Sequence, residues 1–170
     1  MSGKGRATKK LAFDPIDEAA RQWGLRWGAV DQMHAVTSLM RVQQVVLAQL
    51  DDILRPHGLT FARYEALVLL TFSRAGSLPL GKMGERLQVH PTSITSIIDR
   101  LEAAGLVVRR PHPQDGRAVL AEITPEGREV VEAATSDLVA ADFALGALDP
   151  EQLRQISAVL RPVRQAAGDF

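Results

Sequence analysis

The chain of 170 residues contains no cysteine. Disulfides, cysteine-ligated zinc and thiol redox sensing are excluded together. Long hydrophobic runs are missing too. Although 46% of the residues are hydrophobic, nothing approaches the roughly 18 consecutive apolar positions of a membrane span, so no membrane partner is expected. The basic start, Met1-Ser-Gly-Lys-Gly-Arg-Ala-Thr-Lys-Lys10, leads into no apolar signal core, and a cytoplasmic location is expected. No internal repeat or low-complexity linker is visible.

Catalytic chemistry is equally hard to place. There is no nucleophile with its base and orienting group, no glycine-rich phosphate loop and no pair of apolar-flanked carboxylates. The four histidines, His34, His57, His90 and His112, share no metal-ligand spacing. Neither enzyme activity nor a metal or cofactor is expected.

Net charge is zero, with 20 basic and 20 acidic side chains, but the charges are segregated. Residues 1–10 hold four basic and no acidic side chains. Residues 80–117 hold six basic (Lys82, Arg86, Arg100, Arg109, Arg110, Arg117) against four acidic (Glu85, Asp99, Glu102, Asp115). From 118 onward there are nine acidic and four basic. A locally basic module beside an acidic C-terminal part suits phosphate contact on one face.

Helix signals punctuate the chain. Asp14-Pro-Ile-Asp-Glu18 combines a capping Asp, Pro at the first helical position and acids in the first turn. Ile16, Ala19, Ala20, Trp23 and Trp27 form its apolar stripe, with a break expected near Gly28. From Val30 to Leu54 a long helix is apolar on more than one face, which predicts burial in the core and against a second subunit. Thr60 is expected to cap the next helix, to about Ser73. Leu78-Pro-Leu80 suits a short edge strand. Leu80, Met83 and Leu87 space a short helix, Gln88-Val-His90 is a turn, and Pro91 opens a helix to Ala104 closed by Gly105. Thr124-Pro-Glu-Gly127 and Asp149-Pro-Glu151 start two further helices.

Between them lies a β-hairpin. Pro111-His-Pro-Gln-Asp-Gly-Arg117 breaks two apolar runs, Leu106–Val108 and Val119–Ile123, and places Asp115 and Arg117 at the expected tip. In the preceding helix Ile94, Ile97, Ile98 and Leu101 share an apolar sector, while Thr92, Ser96, Asp99 and Ala103 form the opposite sector, flanked by Ser93, Thr95 and Arg100. Pro91, Thr92, Ser93, Thr95, Ser96 and Arg100 are the candidate DNA contacts of this helix. Small hydroxyl residues in the first turns allow close entry into a major groove. Arg117 would reach a minor groove with Asp115 fixing its geometry, while Arg109, Arg110 and His112 would meet phosphates.

These residues resemble the multiple-antibiotic-resistance regulator (MarR) family. The resemblance rests on Val89 to Arg110, with Asp-Arg-Leu-Glu102 entering Gly-Leu-Val107, on Asp115-Gly-Arg117, and on the Ile-Thr-Pro-Glu-Gly127 exit. It implies a homodimer held by the first long helix and the last two, a pseudo-palindromic double-stranded DNA operator, and release of DNA on binding a small aromatic or phenolic effector. By position, Thr92, Ser93, Thr95 and Ser96 resemble base and phosphate contacts, Arg100 a phosphate contact, and Asp115 with Arg117 the wing pair. His90 and Pro91 depart from the Ser cap and nearby Arg of many members. The helix carrying Trp23 and Trp27 resembles that of a urate-sensing branch, although Leu67 stands where that branch has an acid. Trp23, Trp27, His34, Phe61 and Tyr64 are candidate effector residues in a pocket between the N-terminal helices.

The expected fold is mainly α, a winged helix-turn-helix with a small β-hairpin wing and dimerisation helices at both ends. Expected segments are a flexible basic tail (1–13), N-terminal dimerisation helices (14–55), the DNA-binding module (56–127) and C-terminal dimerisation helices (128–170). The expected function is a ligand-responsive repressor. A winged helix for protein contact, or a small-molecule-binding dimer without DNA affinity, remains an alternative.

Overall fold

The computed structural model describes residues 11–170, with Gly116 and Arg117 described in their backbone alone. They form two units, one ending at Val45 and one spanning Val46–Phe170. Residues 1–10 of the expected basic tail lie outside the described residues.

In the first unit, α1 (Pro15–Gly24) starts as its sequence dictates: the Asp14 carboxylate accepts from the Ile16 N–H at 2.8 Å, and Pro15 occupies the first helical position. Hydrogen bonds from Arg21 and Gln22 hold the Glu18 carboxyl at about 2. After α1 the Trp23 indole N–H donates to the Gly28 carbonyl at 2.8 Å, and the Trp23 and Trp27 rings pack 4.7 Å apart. That fold-back fills the break expected near Gly28. The next helix, α2 (Val30–Leu54), is tied to α1 by His34 Nε2 and Asp17 at 3.0 Å.

The second unit holds the main core. A 3₁₀ turn (Arg55–His57) ends at Gly58 in the left-handed region, where glycine carries no Cβ penalty. Then come α3 (Phe61–Thr71), β1 (Ser77–Pro79), α4 (Leu80–Leu87), α5 (Pro91–Ala103), β2 (Val107–His112), β3 (Asp115–Ile123), α6 (Pro125–Ala140) and α7 (Pro150–Ala166). The antiparallel sheet has the order β1-β3-β2. This is the expected mainly helical winged helix-turn-helix. Leu54, Leu67, Leu70, Met83, Ile98, Leu101, Val107 and Leu138 are the largest fully buried side chains. Each large aliphatic contributes roughly 1.5–3 kcal/mol by leaving water.

Polar ties fasten α3 and the 3₁₀ turn to α6. The Thr135 hydroxyl donates to the Val131 carbonyl at 2.6 Å, which leaves it to accept from the Tyr64 hydroxyl at 2.9 Å. His57 Nε2 meets the Asp137 carboxylate at 2.7 Å. One cap differs from expectation. Thr60 precedes α3, but its hydroxyl makes no capping bond and instead accepts from Arg63. Asp51, ten residues upstream on α2, accepts from the Phe61 N–H at 2.7 Å. A charged acceptor from the preceding helix displaces the local hydroxyl.

Two helices retain apolar stripes. In α2 only Leu50 and Leu54 are buried, while Val36, Leu39, Met40, Val42, Val45 and Leu47 are exposed. In α7 no residue is buried, and Ile156, Val159 and Val163 are exposed along one stripe.

Gly127 sits at the tightest backbone approach. A Cβ there would stand 2.2 Å from the Leu106 carbonyl oxygen and 2.9 Å from Ile123 Cγ1. Thr124, whose N–H donates to the same Leu106 oxygen, caps α6 by accepting from the Gly127 N–H at 2.9 Å. The start of α6 is thus pressed onto the α5–β2 connection. We expect Gly127→Ala to lose about 2–3 kcal/mol in urea unfolding. Gly81→Ala, where a Cβ meets nothing within 4 Å, is expected to be neutral or to gain about 0.5 kcal/mol.

Candidate nucleic-acid interface

The interface is built on the α4–α5 turn. Gln88 adopts a left-handed conformation at φ 52° and donates its N–H to the Gly84 carbonyl, ending α4 without a glycine. Gly84 lets the helices approach: a Cβ would lie 3.3 Å from the Val89 oxygen and 3.6 Å from Ile94. His90 then caps α5, its Nδ1 accepting from the Thr92 N–H at 3.2 Å. For Nδ1 to accept, the ring is neutral with its proton on Nε2. Pro91 takes the first helical position, where no N–H is needed.

The faces of α5 separate as the periodicity predicts. Ile94, Ile98 and Leu101 are buried, with Ile97 half-buried. Pro91, Thr92, Ser93, Thr95, Ser96 and Arg100 are exposed. The Thr95 hydroxyl donates back to the Pro91 carbonyl at 3.0 Å, leaving its lone pairs outward.

The wing departs from expectation in its turn. His112 pairs with Asp115, so the tip is Pro113-Gln114, and the His112 Nδ1 accepts from the Gln114 N–H at 3.2 Å. Asp115 and Arg117 belong to β3 rather than the tip. The register shifts between Pro111, opposite Val119, and His112. Gly116, Arg117 and Ala118 are the surplus residues of β3 at this bulge, which absorbs the mismatch between strands. The Arg117 side chain, and with it the expected Asp115–Arg117 pair, lies outside the described residues. Pro111 is tolerated because β2 is an edge strand.

The three wing cations expected to meet phosphates are placed differently. Arg110 is exposed and lies 3.5 Å from Glu122 on β3. His112 is occupied in the turn. Arg109 faces the helix, its side chain 25% exposed, and pairs with Asp99 at 2.5 Å and with Glu102. Burial opposes its charge, but the hydrogen bonds it donates to Glu102 and Asp99 outweigh that and hold the guanidinium above its ordinary value. Sequence reasoning missed this staple, and the signal was weak: the acids lie ten and seven residues away across a helix-to-strand turn.

The aromatic candidates fall in separate units. Trp23, Trp27 and His34 make the first-unit contacts already described. Phe61 and Tyr64 lie in the second, their rings 6.1 Å apart.

Comparison with known proteins agrees with this geometry. The model of the MarR family matches residues 62–119. The crystal structure of Sco5413, a MarR family transcriptional regulator from Streptomyces coelicolor, is 60% identical, covering 84% of this chain and 99% of that one at a TM-score of 0.78. The chain belongs to the MarR family. The organic hydroperoxide resistance transcriptional regulator of Bacillus subtilis is 31% identical over 61% of this chain and 68% of its own length. Sco3205, a MarR family transcriptional regulator from S. coelicolor solved in complex with DNA, shares the fold. It is 24% identical over 83% of this chain and 90% of its own, with a TM-score of 0.75. The chain spans about half the length of the first curated relatives it matches, 46% and 54%. These relatives are named as transcriptional regulators, which agrees with the absence of a catalytic set in the sequence. Among the described residues, no helix is long and apolar enough to cross a membrane.

The His90 cap predicts a measurable cost in this MarR-family module. His90→Ala should lower stability by about 1 kcal/mol in chemical denaturation, while His90→Asp, which restores an acceptor, should keep or raise it. Equal stability of all three proteins would show that the imidazole contributes nothing to α5.

Proposed function

We propose that the chain is a sequence-specific DNA-binding transcriptional regulator, a ligand-responsive repressor that acts as a homodimer on a pseudo-palindromic operator. One observation carries the reading: α5 spends Ile94, Ile98 and Leu101 on the core and presents Thr92, Ser93, Thr95 and Ser96 to solvent beside a projecting hairpin. Short hydroxyl side chains let the helix backbone enter a major groove closely, where they bond base edges or phosphates. Arg100 on the same helix is assigned a phosphate. Arg117, on the wing, is assigned the minor-groove contact. Two copies would read half-sites about 10 bp apart.

The exposed stripe Ile156, Val159 and Val163 on α7, and the apolar stripe of α2, support a dimer of the kind the family resemblance implies. For the effector we favour a small aromatic or phenolic compound contacting Tyr64. Tyr64 borders an apolar pocket of ≈ 270 Å³ with Val68, Phe72 and Val131. Thiol oxidation is not the switch, because the chain has no cysteine.

Random-sequence selection followed by fluorescence anisotropy across a salt series tests DNA reading. Affinity for the selected duplex should fall steeply with salt. Arg100→Ala should weaken selected and scrambled duplexes alike and reduce the magnitude of the salt slope by about 1 per subunit. Recovery of no site, with binding insensitive to salt, would instead favour a protein-contact module. For the dimer, Val159→Glu combined with Val163→Glu should raise the dimer dissociation constant at least about tenfold in analytical ultracentrifugation, since each carboxylate would be desolvated in an apolar seam. An unchanged constant would remove α7 from the interface.

A further inference from the structure

We infer that Arg109 is a positioning residue for DNA recognition, one that locks the recognition helix to the wing and contacts no phosphate. The inference rests on the DNA-binding reading. Residues 95, 99 and 102 follow one another along one stripe of α5 at spacings of four and three. Arg109 spans this stripe from β2. One terminal nitrogen reaches Glu102. The other donates to Asp99 at 2.5 Å and lies 3.4 Å from the Thr95 carbonyl. The Arg109 backbone N–H donates to the other Glu102 oxygen at 3.1 Å. Glu102 therefore holds both ends of the same residue, and satisfies a backbone donor on an edge strand that would otherwise face water.

Charge decides against a phosphate role. One guanidinium sits between two carboxylates, so the trio carries a net charge of −1 and repels a phosphate that approaches it. Arg110, the next residue on the strand, points its side chain away to 60% exposure, whereas Arg109 keeps 25%. What the fork achieves is geometric. It connects two turns of the base-reading helix to the strand that carries the wing, so helix and hairpin meet the duplex at one fixed angle. Lysine keeps the charge but cannot reproduce the planar fork.

The experiment compares full-length wild type, Arg109→Lys and Asp99→Asn on a duplex recovered by random-sequence selection and on its scrambled counterpart, across salt. Arg109→Lys should lower the selected-to-scrambled affinity ratio at least about tenfold while leaving the salt slope at the wild-type value. Asp99→Asn, an exposed helix position that tolerates an isosteric amide, should also lower the ratio even as it strengthens scrambled binding. It carries the same expectation should Arg109→Lys fail to fold. A wild-type ratio in both variants would overturn the assignment while leaving the regulator reading standing. So would an Arg109→Gln protein that binds both duplexes equally more weakly with a slope reduced by about 1 per subunit, the signature of a phosphate contact. If wild type itself recovers no site, the regulator reading falls and the assignment falls with it.

Discussion

Ile94, Ile98 and Leu101 enter the core from one side of α5, at 2%, 0% and 1% exposure, and the presentation of the opposite side follows from how they are seated. A helix has only one rotation about its axis. Once three positions spaced by four and three are committed to the interior, the direction of Thr92, Ser93 and Ser96 is settled as well. The neighbouring parts hold that seat. Gly84 admits α5 close to α4, and the Leu106–Gly127 contact presses the start of α6 onto the segment that leaves α5. The outward face is thus a by-product of burial, and its polarity is what remains once the core has taken the isoleucines.

Two kinds of force act on α5, and their sizes separate their roles. Three buried aliphatic side chains contribute roughly 5–9 kcal/mol at 1.5–3 kcal/mol each. The Arg109 pairs involve acids that are 59% and 40% exposed, and partly exposed ion pairs are worth about 1 kcal/mol or less. The apolar seat therefore decides that α5 packs, and where. The guanidinium fork adds little to that decision. It acts on the softer coordinate, the tilt of the helix against the hairpin, where a small free-energy difference is enough to favour one geometry.

Much of this was legible in the sequence because it is local or periodic. Asp14-Pro, Thr124-Pro and Asp149-Pro each mark a helix start that the side chain then caps. The apolar spacing of residues 94–101 gave the buried edge of α5. What was illegible depends on partners distant in the chain. Asp51, not Thr60, caps α3 because α2 returns its last turns beside it. The Tyr64–Thr135 bond joins residues 71 apart. The wing turn fell on Pro113-Gln114, ahead of the tip expected at Asp115 and Arg117, because the strands follow the Val107–Ile123 register until the bulge, and composition alone does not locate a bulge. The long α2 looked buried by composition, yet within one chain only Leu50 and Leu54 are. Hydrophobicity announces that a surface needs covering without saying by what.

The same distinction resolves how a chain of zero net charge offers a face to a polyanion. Counted along the sequence, residues 80–117 carry only two surplus positive charges, six against four. Two of those four acids, Asp99 and Glu102, lie on the helix that would enter the groove, where bare carboxylates would repel phosphate most strongly. The structure ties both to Arg109. One cation, held against the helix, thereby screens the two acids that threaten the interface, and Arg100 makes no ion pair among the described residues. Formal charge is then a poor guide to the field at the groove. What matters is which charges neutralise one another behind the contact surface and which remain at its edge. Replacing Arg109 with a neutral residue would take the trio from a net charge of −1 to −2. Its influence on DNA binding therefore runs through the alignment of helix and wing and the acids it holds, and needs no phosphate contact.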